Sequence, residues 1–151
     1  MMSNLVQLLR EQFPGTDFTP VPFVAERSSP TDLSYIRVPA DHLIQVMLFL
    51  RNDLRTRFNQ LFELNGIDYL TFPKAHDRYA VTYGLLSLVN NQRLWIKCFV
   101  NDPDPIVPSV CSIWNGAEWM EREVFDMFGI RFQGHPDLRR ILTWEGFVSH
   151  P

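Results

Sequence analysis

Near the start of the chain, Leu5, Val6, Leu8, Leu9 and Phe13 recur at helical spacing, Ser3 stands where an N-cap belongs, and Pro14-Gly15 stops the run. Val21 to Glu26 and Leu33 to Val38 are short β-prone runs on either side of the turn-forming Ser28-Ser29-Pro30-Thr31-Asp32, which predicts an antiparallel pair. Asp41 is placed to cap a helix from His42 to about Asp53, with Leu43, Val46, Met47, Leu50 and Leu54 as its core-facing stripe and Ile44 and Phe49 beside it. Asn65-Gly66 reads as a turn, and Ile67 to Phe72 as a strand that Pro73 ends. In Arg78 to Val89, Tyr79, Val81, Tyr83 and Leu85 alternate with smaller residues. In Arg93 to Val100, Leu94, Ile96, Cys98 and Val100 alternate with Arg93, Trp95, Lys97 and Phe99, and Asn90-Asn91 between the two runs tolerates positive φ. That is the pattern of a hairpin.

Pro103, Pro105 and Pro108 make Asn101 to Gly116 a stiff connector with no continuous helix or central strand. A third helix follows, with Ala117, Met120, Val124 and Met127 on one face, Glu118, Glu121, Arg122 and Asp126 elsewhere, and Gly129 placed to end it. The order predicts an α+β fold: a two-layer sandwich with a mixed or mostly antiparallel sheet of about five strands, helices on one face, and an irregular C-terminal extension. The expected division is an α+β domain at 1–129 and a docking extension at 130–151.

Length and composition narrow the functions. The 151 residues suit one domain, 46% are hydrophobic, and the net charge of −3 with no basic block removes the main driving force for binding nucleic acid. Cys98 and Cys111 form neither a zinc ligand set nor a disulfide framework, and with no signal peptide in sight they read as reduced cytosolic thiols. The apolar stretch Leu43 to Leu50 is far shorter than the roughly 20 residues that cross a bilayer, so any membrane link is expected to be peripheral.

Candidate chemistry is sparse. Glu118, Glu121, Arg122, Glu123 and Asp126 crowd the third helix. Glu118 and Arg122 can pair along its surface for about 0.2 to 0.5 kcal/mol, and no nucleophile or convergent histidine accompanies the cluster, so it reads as structural or interfacial. His42, His76, His135 and His150 lack neighbours at ligand spacing, which gives no expected metal. No glycine-rich phosphate loop and no C-x-x-C pattern is present. Trp114, Trp119, Phe125, Phe128 and Phe132 read as core or interface aromatics. The aperiodic stretch Ile130 to Pro151 carries Phe132, Leu138, Ile141, Leu142, Trp144 and Phe147 with Arg131, Arg139 and Arg140 interleaved. Such a stretch is costly to leave in water and rich in interface residue types, so it is expected to dock on another polypeptide.

The segment Ala117-Glu118-Trp119-Met120-Glu121-Arg122-Glu123-Val124-Phe125-Asp126-Met127-Phe128-Gly129-Ile130, with Phe132-Gln133-Gly134-His135-Pro136-Asp137-Leu138-Arg139-Arg140-Ile141-Leu142 after it, resembles the signature of the 30 kDa subunit family of proton-pumping NADH:quinone oxidoreductase, respiratory complex I. Arg57-Phe58 before Asp68-Tyr69, Tyr83-x-Leu85, and Ser109-Val110 before Trp114 extend the likeness over about 33–151. The resemblance implies a two-layer α/β subunit with no catalytic residue and no cofactor of its own, while NADH, FMN, iron-sulfur clusters and quinone lie in partner subunits. It implies docking on the quinone-site subunit and on the iron-sulfur subunit that carries the terminal cluster. It also implies a peripheral place on the cytoplasmic face of the bacterial inner membrane, with membrane contact only through the complex.

The matching positions, and so the implied subunit-interface residues, are Glu121, Arg122, Glu123, Asp126, Phe128, Gly129, His135, Pro136, Arg139 and Arg140. The family pattern continues past Trp144-Glu145-Gly146-Phe147 with residues that Val148-Ser149-His150-Pro151 only begins. Two alternatives stand beside this reading. One is the equivalent subunit of an energy-converting hydrogenase or of a ferredoxin- or deazaflavin-fed reductase. The other is a freestanding hydrolase using Glu121, Glu123 and Asp126 with His135.

Overall fold

The alternation in the two longest strands sets the sheet. In the computed structural model, which describes residues 2–23 and 33–151, the order is α1 (Met2–Gln12), β1 (Val21–Pro22), β2 (Ser34–Arg37), a 3-10 turn (Ala40–His42), α2 (Leu43–Asn52), β3 (Gln60–Asp68), β4 (Tyr79–Ser87), β5 (Gln92–Val100), β6 (Ile106–Pro108), α3 (Ala117–Phe128) and β7 (Arg131–Gln133). The β4–β5 hairpin turns through Asn91 at φ 51° and pairs Tyr83 with Ile96 and Leu85 with Leu94. The five-stranded sheet runs β1-β2-β5-β4-β3, with β2 parallel to β5 and the remaining neighbours antiparallel. This is the expected α+β sandwich with a mixed sheet.

Val81, Tyr83, Leu85, Leu94, Ile96 and Cys98 project from one side of the sheet into a core that also takes Leu5 and Leu9 of α1 and Leu43, Val46, Met47 and Leu50 of α2. The other side carries an aromatic layer: Trp95 meets Phe62 and Phe23 edge-on, and Phe99 lies beside Tyr35 and Tyr69. Lys97 is buried within that layer, its ammonium 4.3 Å from the Tyr35 ring centroid and donating to Tyr69 Oη at 2.9 Å. Burial lowers its pKa, and the faces of the Tyr35, Phe23 and Tyr69 rings supply negative potential beside the ammonium. Among the described residues, no helix is long and apolar enough to cross a membrane.

Several local expectations change. The turn Ser28–Asp32 and the end of the first strand lie outside the described residues. Ser3 falls inside α1 rather than capping it, and Leu54, expected in the stripe of α2, is exposed beyond its end. Asn65-Gly66 is no turn: it sits within β3, opposite Thr82 and Val81, so the strand placed at Ile67 to Phe72 begins earlier and ends at Asp68. Gly66 is there for contact, because a Cβ at this position would lie 2.6 Å from the Phe128 ring and 3.1 Å from Val124 of α3. The proline-rich connector holds a short strand after all, since β6 pairs in parallel with β7 as a separate two-stranded sheet. Three residues suffice for that pair, with Pro108 at its end, where no ladder donor is needed.

The close approach of α3 to β3 gives the first test. Gly66→Val forces Phe128 or the helix outward, and the denaturant midpoint should fall by the equivalent of about 1 to 3 kcal/mol. An unchanged midpoint in chemical unfolding would show that the approach is loose.

Candidate docking site

Helix α3 fixes the site because two of its carboxylates are buried inside the chain. Glu121 and Asp126 are both fully inaccessible to solvent. Five residues apart, they point about 140° away from each other around the helix, so each gathers a different segment. Gly129 closes the helix at φ 77°, and its N–H donates to Phe125 O at 2.9 Å.

Glu121 holds the exit of β6. Its carboxylate accepts from Ser109 Oγ at 2.7 Å, the Val110 N–H at 2.8 Å and Cys111 Sγ at 3.1 Å. Burial raises its pKa, and these three donors only partly offset that. Burial, together with the neighbouring Glu121, pushes the Cys111 thiol up to about 12, despite the opposing bond from Ser109. Beside them lies His135, so that Cys111, Glu121 and His135 present donor atoms within 4.8 Å of one another, a convergence that sequence spacing did not reveal. Each member is nevertheless already engaged in the chain's own hydrogen bonds, Cys111 with Glu121 and His135 with groups outside the trio. The Asp137 N–H donates to His135 Nδ1 at 2.9 Å, which leaves the proton on Nε2 to reach Glu118 O at 2.9 Å, and both ring nitrogens are engaged.

Asp126 holds the tail. Oδ2 accepts from the N–H groups of Ile141 (3.0 Å), Leu142 (2.7 Å) and Thr143 (2.9 Å). Oδ1 accepts from Thr143 Oγ1 and from Arg140 Nη1 at 2.8 Å. Burial alone would raise the pKa of this carboxyl, but the bonds from the Thr143 side chain and the three backbone N–H groups outweigh it and hold the group far below the ordinary carboxylate range. The backbone carbonyl of Asp126 contacts His150 Nδ1 at 2.9 Å, and the imidazole lies over Gly129, where a Cβ would come within 2.8 Å of it.

The remaining implied interface residues divide by what they touch. Arg122 turns away from Glu118, the pairing expected from sequence, and donates to the carbonyls of Arg139 at 3.0 Å and Arg140 at 2.9 Å while covering the Trp119 ring. Arg139 pairs with Asp137 at 2.6 Å on the surface. Phe128 packs on Gly66, and Glu123 and Pro136 are exposed. Ser109, Thr143 and the backbone at 141–143 were missed as site residues because neither their type nor their position signals a carboxylate twelve or more residues away.

The tail is thus tied to α3 through polar groups, yet it leaves apolar groups outside. Ile130 and Phe132 are buried, whereas Leu142 is 61% exposed, Trp144 70% and Val148 99%, and Trp119 on the adjoining helix is 63% exposed. Trp144 packs edge-on against Phe147, and Arg140 lies over the Phe147 ring. Chemically, this is a segment with an anchored backbone and several exposed apolar side chains, with Arg140 over Phe147 and Arg139 on the surface. It is no acid–base centre, since Glu121 and Asp126 face apart and are saturated by donors of the chain itself.

Comparison with known proteins gives a consistent picture. Residues 36–151 match the family described as "Respiratory-chain NADH dehydrogenase, 30 Kd subunit". Over 118 residues the chain is 52% identical to an NADH-quinone oxidoreductase subunit of Burkholderia multivorans and to its counterpart in Burkholderia mallei. Each alignment covers 76% of this chain and 59% of the relative, so the chain spans about three fifths of the curated relatives it matches. A trypsin-resistant fragment (1-134) of Nqo5 superposes with a TM-score of 0.72 at 29% identity, over 91% of this chain and 100% of the fragment. A chain of the membrane-bound sulfane sulfur reductase, an archaeal respiratory membrane complex, superposes with a TM-score of 0.67 over 95% of this chain and 75% of its own; at 21% identity it shows a shared fold alone.

The Asp126 latch yields a mutation and a pH prediction. Removing the charge in Asp126→Asn leaves Arg140 without its partner at a cost of about 3 kcal/mol. Trypsin cleavage after Arg139 and Arg140 tracks the open population and should accelerate at least about tenfold at neutral pH. Because the folded-state pKa of Asp126 lies below its unfolded value of about 3.9, the latch contributes fully above that value and is lost as pH falls through the folded-state pKa. The part of the tail's protection that Asp126→Asn removes should therefore be constant over about pH 5 to 8, once trypsin's own profile is divided out.

Proposed function

The chain belongs to the family of the respiratory-chain NADH dehydrogenase 30 Kd subunit, and from that membership we propose that it is a scaffold subunit in the peripheral arm of a proton-translocating NADH:quinone oxidoreductase. The observation that carries this reading is the tail: Asp126 orders its backbone while the side chains of Leu142, Trp144 and Val148 stay exposed. Ordering a segment and then exposing its largest side chains is the arrangement of an interface half, with aromatic anchors and an arginine rim.

In this proposal Glu121, Arg122, Asp126, Gly129, His135 and Arg140 shape the surface from within, and Pro136 and Arg139 meet the partner. Phe128 belongs to the packing of α3 on β3. The partners are the quinone-site and iron-sulfur subunits of the same complex, and the NADH, FMN, iron-sulfur and quinone chemistry lies in subunits other than this one. This chain supplies position and no cofactor, and it sits at the cytoplasmic face of the membrane only through the complex. The 52% identity to an NADH-quinone oxidoreductase subunit favours NADH as the electron source over ferredoxin, deazaflavin or a hydrogenase.

The test is affinity purification from native membranes of the tagged chain and of its Trp119→Ala/Trp144→Ala variant. The unmodified chain should recover iron-sulfur and quinone-site subunits together with NADH-oxidising activity. The variant should recover them at least about tenfold less while melting at an unchanged temperature. Bound flavin or NADH oxidation by the isolated chain overturns the proposal, as does equal recovery by the variant.

A further inference from the structure

A second surface lies away from the tail, along the free edge of the sheet. Strand β3 ends the order β1-β2-β5-β4-β3, so among the described residues no strand lies beside the backbone groups on its outer side. A cleft of about 620 Å³ follows this strand from the C-terminal half of α3 to the aromatic side of the sheet. Its apolar lining includes Leu64, Ile67, Trp95, Val124, Met127 and Phe128. That volume falls in the range of sites that enclose a bound group of several side chains' size.

Two features show that the cleft is not simply greasy. Thr82, only 6% exposed, lines it, and its hydroxyl has no hydrogen-bond partner. A buried hydroxyl left unpaired costs on the order of 1 to 3 kcal/mol, and an occupant bearing a donor or acceptor removes that cost. The ionisable side chains that line the cleft among the described residues are Glu63 and Glu123, with Asn65 donating to Glu63 and no lysine or arginine present. An acidic occupant would set like charges against both glutamates.

We propose that this cleft is a docking site for an extended segment of a partner polypeptide, which adds to the outer edge of β3 and carries lysine or arginine side chains between apolar ones. Strand addition satisfies the outer backbone of β3. The apolar side chains fill the lining, and the basic ones meet Glu63 and Glu123. The chain's own run Arg93 to Lys97, basic at both ends and apolar between, lies within β5, where all five residues pair with β4 and 95–97 also pair with β2, so it is not free to add to a second copy.

The test uses the full chain and two synthetic dodecapeptides, one of alternating lysine and valine and one of alternating glutamate and valine, read by calorimetry and amide hydrogen exchange. The lysine peptide should bind and protect amides of β3, and the glutamate peptide should not bind. The affinity should fall about tenfold in Glu63→Gln/Glu123→Gln and severalfold in Thr82→Val. Glu118→Gln, a change outside the cleft, should leave it intact. Equal binding of the two peptides, protection away from β3, or an unaltered affinity in the double variant overturns the proposal. So does a nuclear Overhauser contact between residues 24–32 and Trp95 or Phe128 in the free chain, which would show the cleft filled from within. The measurement needs no other subunit, so its result stands apart from the membrane purification above.

Discussion

Two acidic side chains on one helix hold the molecule's C-terminal half together. The sheet, α1, α2 and the β6 exit, where Val110, Ile113 and Trp114 are buried, cohere through a conventional apolar core, but residues 139–150 add nothing to it. Glu121 collects Ser109, Val110 and Cys111, and Asp126 collects residues 140–143. A buried carboxylate is costly unless saturated, and once saturated it specifies geometry closely, because each donor it loses strands a charge. The apolar side chains of the tail therefore take their positions from a polar anchor that they do not touch.

The two carboxylates work in opposite electrostatic regimes. At Glu121 burial prevails and the pKa rises, whereas at Asp126 the donors prevail and the pKa falls, though both groups are equally shielded from water. Depth and donors both separate them, since Glu121 lies deeper among its neighbours and has the poorer donor set. Asp126 takes three backbone N–H groups, a hydroxyl and an arginine, while Glu121 takes one backbone N–H, a hydroxyl and a thiol. A cation paired with Asp126 and none hydrogen-bonded to Glu121 makes the first an ionised latch and the second a softer clamp.

This also explains what the sequence disclosed and what it concealed. The hairpin of β4 and β5, the buried stripe of α2 and the extent of α3 were legible because their apolar residues recur with the period of the element that buries them. The family signature was legible because it is a continuous run of residues. The use to which Glu121 and Asp126 are put was not, since these types are almost always exposed and their partners lie ten to seventeen residues along the chain, beyond any periodic pattern. Asn65-Gly66 misled for a related reason: a glycine needed to admit the Phe128 ring is written identically to one needed for a turn. Three-residue pairing between β6 and β7 leaves no alternation to read.

An ordered tail also bears on the energetics of docking. A segment that is free before association must surrender backbone and side-chain freedom when it binds, at about 1 to 2 kcal/mol per residue for the backbone alone. Here residues 140–143 have already given up that freedom to Asp126 within the subunit, so contacts through Leu142 and Trp144 would bear little further ordering cost. The edge of β3 offers the complementary economy, since its backbone is already extended and a partner strand need order only itself. On the proposed reading, the chain contributes to its complex less by the area it buries than by presenting both surfaces in their bound shape beforehand.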